Sequence, residues 1–160
     1  MATEKLKFRL ELHATMWNKP PHAEILINDH TCYKGDITGS EDNPDVIEFE
    51  HKLTEGEKYN LIIKRSGKGK YETILNDKGD ILKDQLLNIK SIEIDEIDIG
   101  GLVYEGVYTP QYAEPWATQQ KEAGINLQES YKNVTRMGHN GTWTFSFESP
   151  FYMWLLENSY

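Results

Sequence analysis

Apolar and polar residues alternate along most of the chain. Phe8, Leu10 and Leu12 fall on one face of an extended segment, with Lys7, Arg9, Glu11 and His13 on the other, which is the period-two mark of a half-buried strand. WNKPPH (residues 17–22) ends it, because two adjacent prolines remove two backbone donors. Residues 23–27 and 31–37 read as a hairpin reversing at Asn28, Asp29 and His30. After the polar loop TGSEDNP (38–44), Ile47, Phe49, His51 and Leu53 alternate, and Tyr59, Leu61 and Ile63 do so again beyond the turn TEGEK (54–58). Strands every ten or so residues, with turn chemistry between them, predict an all-β fold, an antiparallel β-sandwich of jelly-roll-like type.

From Leu86 the parity of the apolar positions changes twice: Leu87 and Ile89, then Ile92 and Ile94, then Ile97 and Ile99. One unbroken strand cannot hold all six on one face, so a bulge is expected near Lys90-Ser91 and a tight turn at Asp95-Glu96. GGLVYEGVYTP (100–110) reads as a further strand. The last third has weaker periodicity and predicts an elaborated C-terminal loop region rather than a second domain. Within it EPWATQQKEAG (114–124) suggests a short helix closed by Gly124. TWTFSFE (142–148) is a strand with Trp143, Phe145 and Phe147 in phase. SPFYMWLLENSY (149–160) predicts a short C-terminal helix, with Ser149 as N-cap and Phe151, Trp154 and Leu155 at helical spacing. The 160 residues are thus expected to make one domain, with a sandwich over 5–108 and the loop extension, final strand and helix over 109–160.

Composition narrows the functional classes. Lys and Arg number 17 against 26 Asp and Glu, a formal charge of −9, which argues against a nucleic-acid partner. No apolar run is long enough for a membrane-spanning helix and the start has no secretory h-region, so no membrane partner is expected and the chain is expected to remain in the compartment where it is made. KRSGKGKY (64–71) is basic, but its glycines suit a solvated hairpin tip. Between Lys90 and Lys121 acidic residues occur without a Lys or Arg, a belt that could face a cation or a basic surface. The single cysteine, Cys32, excludes an intramolecular disulfide and reads as a small hydrophobe buried in a strand.

Catalysis finds little footing. Gly-x-Ser-x-Gly is absent, and the five histidines form no helical zinc motif. The chain therefore reads as a non-enzyme. NDKGDILKDQ (76–85) is the one cluster with ligand character, offering Asn76, Asp77, Asp80 and Asp84 for Ca2+, an ion that accepts loop oxygens in flexible geometry. It departs from the EF-hand spacing, and NDKGD is a strong turn sequence in its own right.

The run KDQLLNIKSIEIDEIDIG (83–100) resembles the Asp-rich loop and following strand of calcium-dependent xylan-binding carbohydrate-binding modules, the match falling on Asp84, Gln85, Leu86 and then Ile92-Glu93-Ile94-Asp95. That resemblance implies a β-sandwich over residues 5–108 in which Asp84 could bind calcium. The aromatic tail lies outside it and, in style, looks similar to virion proteins of tailed bacteriophages. Two readings follow. In the first, the chain is a structural assembly protein in a virion, made in a host cytoplasm and packing on virion proteins or on itself through Tyr108, Tyr112, Trp116, Phe151, Trp154 and Leu155. In the alternative, it is a calcium-dependent carbohydrate-binding module that adheres to a polysaccharide, with Trp17 and Trp116 as stacking faces.

Overall fold

The computed structural model describes residues 2–69 and 72–158. The strands are β1 (Thr3–Thr15), β2 (His22–Ile27), β3 (His30–Asp36), β4 (Asp45–Thr54), β5 (Lys58–Ser66), a short pair β6 (Ile74–Leu75) and β7 (Ile81–Lys83), β8 (Leu86–Ile94) and β9 (Ile97–Asp98). A 3-10 helix (Gly100–Glu105), β10 (Val107–Pro110), α1 (Trp116–Glu122), β11 (Arg136–Met137), β12 (Gly141–Glu148) and α2 (Phe151–Asn158) follow. Two sheets of five strands face each other. One runs β11-β8-β1-β4 with β9 added to β8, and the other runs β10-β12-β5-β2-β3. All the pairings are antiparallel, so the fold is the expected β-sandwich with a short C-terminal helix.

Alternation builds its interior. Phe8, Leu10 and Leu12 of β1 are buried together with Leu61 and Ile63 of β5 and Trp143, Phe145 and Phe147 of β12. Phe8 and Phe147 meet across the sheets with ring centroids 6.2 Å apart. Burying each such side chain contributes about 1.5–3 kcal/mol before chain entropy is counted. The parity changes are accommodated as expected. In the β1–β8 ladder Glu11 faces Ser91 and Leu12 faces Ile89, which leaves Lys90 as the extra residue, and Asp95 and Glu96 take φ of +54° and +67° in the turn between β8 and β9.

Three local expectations are corrected. Residues 100–105 form a 3-10 helix instead of a strand; extended backbone resumes only at Gly106, where any Cβ would overlap the indole of Trp143. Ser149 does not cap α2, because its Oγ donates instead to Glu4 (2.5 Å) and the same Glu4 oxygen accepts the N–H of Phe151 (2.7 Å). A carboxylate from the first strand thereby satisfies the last helix. KRSGKGKY is no solvated tip either: Arg65 is buried and Lys68 turns inward, while Lys70 and Tyr71 lie outside the described residues.

α2 docks on its own sandwich. Phe151 and Leu155 are buried, and the rings of Phe151 and Trp154 meet Phe147 and Phe145 edge-on at 5.8 and 5.7 Å. These three residues, expected at an intermolecular interface, are used internally, and the outward face carries Tyr152, Met153 and Leu156 at 60–63% exposure. No described helix is long and apolar enough to cross a membrane.

Candidate functional site

One end of the sandwich gathers three long connections, described over residues 16–21, 67–69 with 72–85, and 111–135, and its chemistry starts from Arg65. The β5 alternation that buries Tyr59, Leu61 and Ile63 continues to Arg65 and drives a guanidinium inward. Nη1 donates to Asn140 Oδ1 (2.8 Å) and Nη2 to the carbonyl of Gln85 (2.6 Å). Burial lowers the Arg65 pKa to about 10, against the opposing pull of Tyr108, Asp84 and Glu72. Asn140 also accepts from the N–H of Lys68 (3.0 Å) and donates to its carbonyl (2.9 Å), so one amide side chain clamps the loop backbone.

Lys68 supplies a second, inward-turned and half-buried cation. Its ammonium donates to Asp84 Oδ1 (2.6 Å) and to the carbonyl of Gly138 (2.5 Å), and the two side chains of the pair are only 13% and 17% exposed. Burial alone would raise the Asp84 carboxyl, but Lys68, the Thr73 hydroxyl (2.7 Å) and the Gln85 N–H (2.9 Å) together hold it below the usual carboxylate value. Glu72 is likewise buried and held low, chiefly by Asn18 Nδ2 (2.7 Å), and its other oxygen accepts the N–H of Gly69 (2.5 Å). Gln85 Nε2 ties in the Lys19 carbonyl (2.9 Å), while Gln85 Oε1 has no partner among the described residues.

Over this network lies an aromatic surface. Trp17 sits beneath the Lys83 ammonium, 3.6 Å from its ring centroid. Trp116 packs against His139 and Tyr112, with centroids 5.2 and 5.9 Å away. Burial, with Lys68 adding to it, holds His139 below the ordinary histidine pKa, so it meets Trp116 as a neutral ring near neutral pH. Both tryptophans remain 37% exposed. They share this end because Lys83 adjoins Asp84, whose partner Lys68 also holds Gly138, the neighbour of His139. Trp143, by contrast, is core.

The remaining candidates separate. Asn76 Oδ1 accepts the N–H groups of Lys78 and Asp80 (both 2.9 Å) and closes the β6–β7 hairpin turn. Asp84 lies at the base of that hairpin, in the Lys68 pair. Asp77, Asp80 and Asp84 make no cluster of three among the described residues. As they stand, the four side chains expected for Ca2+ do not fit a common ion: one is spent on a turn and another already holds an ammonium. Tyr108 is buried, and its hydroxyl bonds both the carbonyl and the N–H of His139 (2.5 and 2.9 Å). Tyr112 reaches the carbonyl of Gln128 (2.5 Å) and the hydroxyl of Tyr131 (3.1 Å). The acidic belt is largely used within the chain: Glu93 pairs with Arg9, Glu105 with Lys132, Asp98 accepts the N–H of Gly100 and Glu114 that of Thr118. Sequence reasoning missed Arg65, Lys68, Glu72 and Asn140. The signal for Arg65 was present in its phase with Tyr59, Leu61 and Ile63; the others meet their partners only through the fold.

These features define an antiparallel β-sandwich with an aromatic, charge-anchored loop surface at one end. No protein-family model matches the chain, and no curated protein matches it. Among solved structures, the carbohydrate-binding module vCBM60 in complex with galactobiose is similar at 9% identity, with 87% of this chain and 96% of that chain covered and a TM-score of 0.49. A selenomethionine form of vCBM60, described with two circularly permuted families of calcium-dependent carbohydrate-binding modules, gives 8%, 88%, 89% and 0.49. Likeness of that degree transfers neither ligand nor site.

Proposed function

We propose that the protein is a non-catalytic binding module that grips a carbohydrate chain across the loop end, with Trp17 and Trp116 as its stacking faces. The observation that supports this is their shared placement: two half-exposed indoles, one in the 16–21 connection and one at the start of α1, each held by neighbours and backed by a largely buried, hydrogen-bonded polar network. Pyranose rings need such apolar platforms beside a few fixed polar groups, and Lys83, Asn18 and His139 supply those here. Calcium, which the sequence resemblance implies, has no part in this reading, because Lys68 already gives Asp84 its countercharge.

Affinity electrophoresis in gels containing xylan or a galactose polymer tests it. The parent chain is expected to be retarded, with or without chelator, and Trp17→Ala and Trp116→Ala to run freely while unfolding near the parent temperature. Unretarded parent protein, or variants as retarded as the parent, would overturn the reading; retardation abolished by chelator would instead restore calcium to the site.

A second reading, assembly into a larger particle such as a virion, draws on different residues. Its support is the outward face of α2 and the β6–β7 hairpin, where Leu75, Ile81 and Leu82 are exposed on a two-stranded ribbon that is marginal by itself. Concentration-dependent association on size exclusion, lost in Leu156→Glu, is its expected signature.

A further inference from the structure

At the opposite end of the sandwich the two sheets meet along their edges, β3 from one and β4 from the other. His30 and Cys32 stand on β3 and His51 on β4. One ligand atom of each, two imidazole nitrogens and the thiol sulfur, all lie within 4.8 Å of one another. The imidazoles are 5.3 Å apart between ring centroids and inclined at 42°. Cys32 owes its position to an irregularity: Leu26 of β2 faces Thr31 and Ile25 faces Tyr33, so Cys32 is the unpaired residue of a β-bulge, a device that re-aims a side chain.

We propose that His30, Cys32 and His51 bind a single borderline-to-soft divalent ion of the Zn2+ class, with the fourth position open to water. Two imidazoles and a thiolate are a donor set that favours such ions over Ca2+ or Mg2+. Tetrahedral bonds of about 2.0–2.3 Å place donor atoms roughly 3.3–3.8 Å apart, so a closure of at most about 1.5 Å, from a spacing that nowhere exceeds 4.8 Å, completes the site. Side-chain rotation at a half-exposed edge supplies it. His30 and His51 meet Cys32 although the sequence shows no zinc spacing, because the ligands come from strands in different sheets. The ion would join those sheets at an edge where no backbone ladder does. The site lies far from the loop end, so its test and that of carbohydrate binding are independent.

Titration of the reduced protein with Co2+, followed by Zn2+, tests the assignment. The expected result is a sulfur-to-Co2+ charge-transfer band with intense tetrahedral visible bands, bleached stoichiometrically by Zn2+. Cys32→Ser is expected to lose the charge-transfer band, and His51→Gln and His30→Gln to weaken Zn2+ binding more than about tenfold, the loss that even an outer-shell partner can cause. Zn2+ should also raise the unfolding temperature of the parent and not of the Cys32→Ser/His51→Gln double variant. Should the variants fail to fold, the parent still decides: Zn2+ is expected to slow alkylation of Cys32 more than about tenfold, since a metal-bound thiolate is withheld from reagent. A Co2+ spectrum without the charge-transfer band, a Zn2+ shift that persists in the double variant, or unprotected alkylation would each overturn the proposal.

Discussion

The interior between the sheets is sealed from water and the space beneath the loops is partly so, yet they are made of opposite materials. The first is apolar, filled by Phe8, Leu10, Trp143, Phe145 and their neighbours. The second holds Arg65, Lys68, Glu72, Asp84, Gln85 and Asn140, joined by hydrogen bonds across up to 75 residues of sequence. Apolar packing degrades gradually when a group is trimmed, whereas a buried ionic network loses most when one member is removed and its partner stays behind. The loop end therefore trades stability for a fixed arrangement, which is what the proposed two-tryptophan platform would need.

Substitutions can separate the two regions. Trp143→Ala, in the apolar interior, is expected to cost about 3–5 kcal/mol in chemical denaturation, the largest effect. Lys68→Met strands Asp84 and should cost about 2–3 kcal/mol, since the pair is not wholly sealed from water. Millimolar Ca2+ is expected to raise the unfolding temperature of that variant but not of the parent. A rise in the parent would break the contrast, because a free ion would then be displacing the ammonium.

Acid probes the same network. The folded-state pKa values of Asp84 and Glu72 lie below their reference values of 3.8 and 4.5, so the unfolded chain binds more protons in acid and their contribution is complete above about pH 4.5. It is lost as pH falls through the lower folded values. The unfolding temperature should therefore fall more steeply below pH 4.5 in the parent than in Asp84→Asn. Glu4→Ala, which uncaps α2 and leaves the buried Ser149 hydroxyl without its acceptor, should cost about 1–2 kcal/mol. Trp17→Ala is expected to cost about 1 kcal/mol or less, mostly its contact with Lys83, while abolishing carbohydrate retention.

The sandwich was legible because period-two alternation is a local signal that burial obeys. It located the Lys90 bulge, the Asp95-Glu96 turn and the buried row of β12. The 3-10 helix at residues 100–105 was not legible, since its apolar positions also suit a strand. Trp17 and Trp116 could be picked out by their flanking prolines. Their backing could not, because Lys68, Asp84 and Asn140 look like ordinary turn residues until three separate connections are brought together. The His30, Cys32 and His51 cluster was hidden for the same reason, as strand parity says nothing about which edge of one sheet will lie against which edge of the other.

Lys68 gives the loop end one further property. A dissociable metal ion occupies its site according to its concentration in the surroundings, and a chelator or a change of compartment removes it. An ammonium fixed to the chain by four methylenes has an effective concentration set by its tether, and dilution cannot lower it. The positive charge between Asp84 and Gly138 is thus always supplied. A loop end anchored this way keeps its internal countercharge equally in ion-poor and ion-rich media.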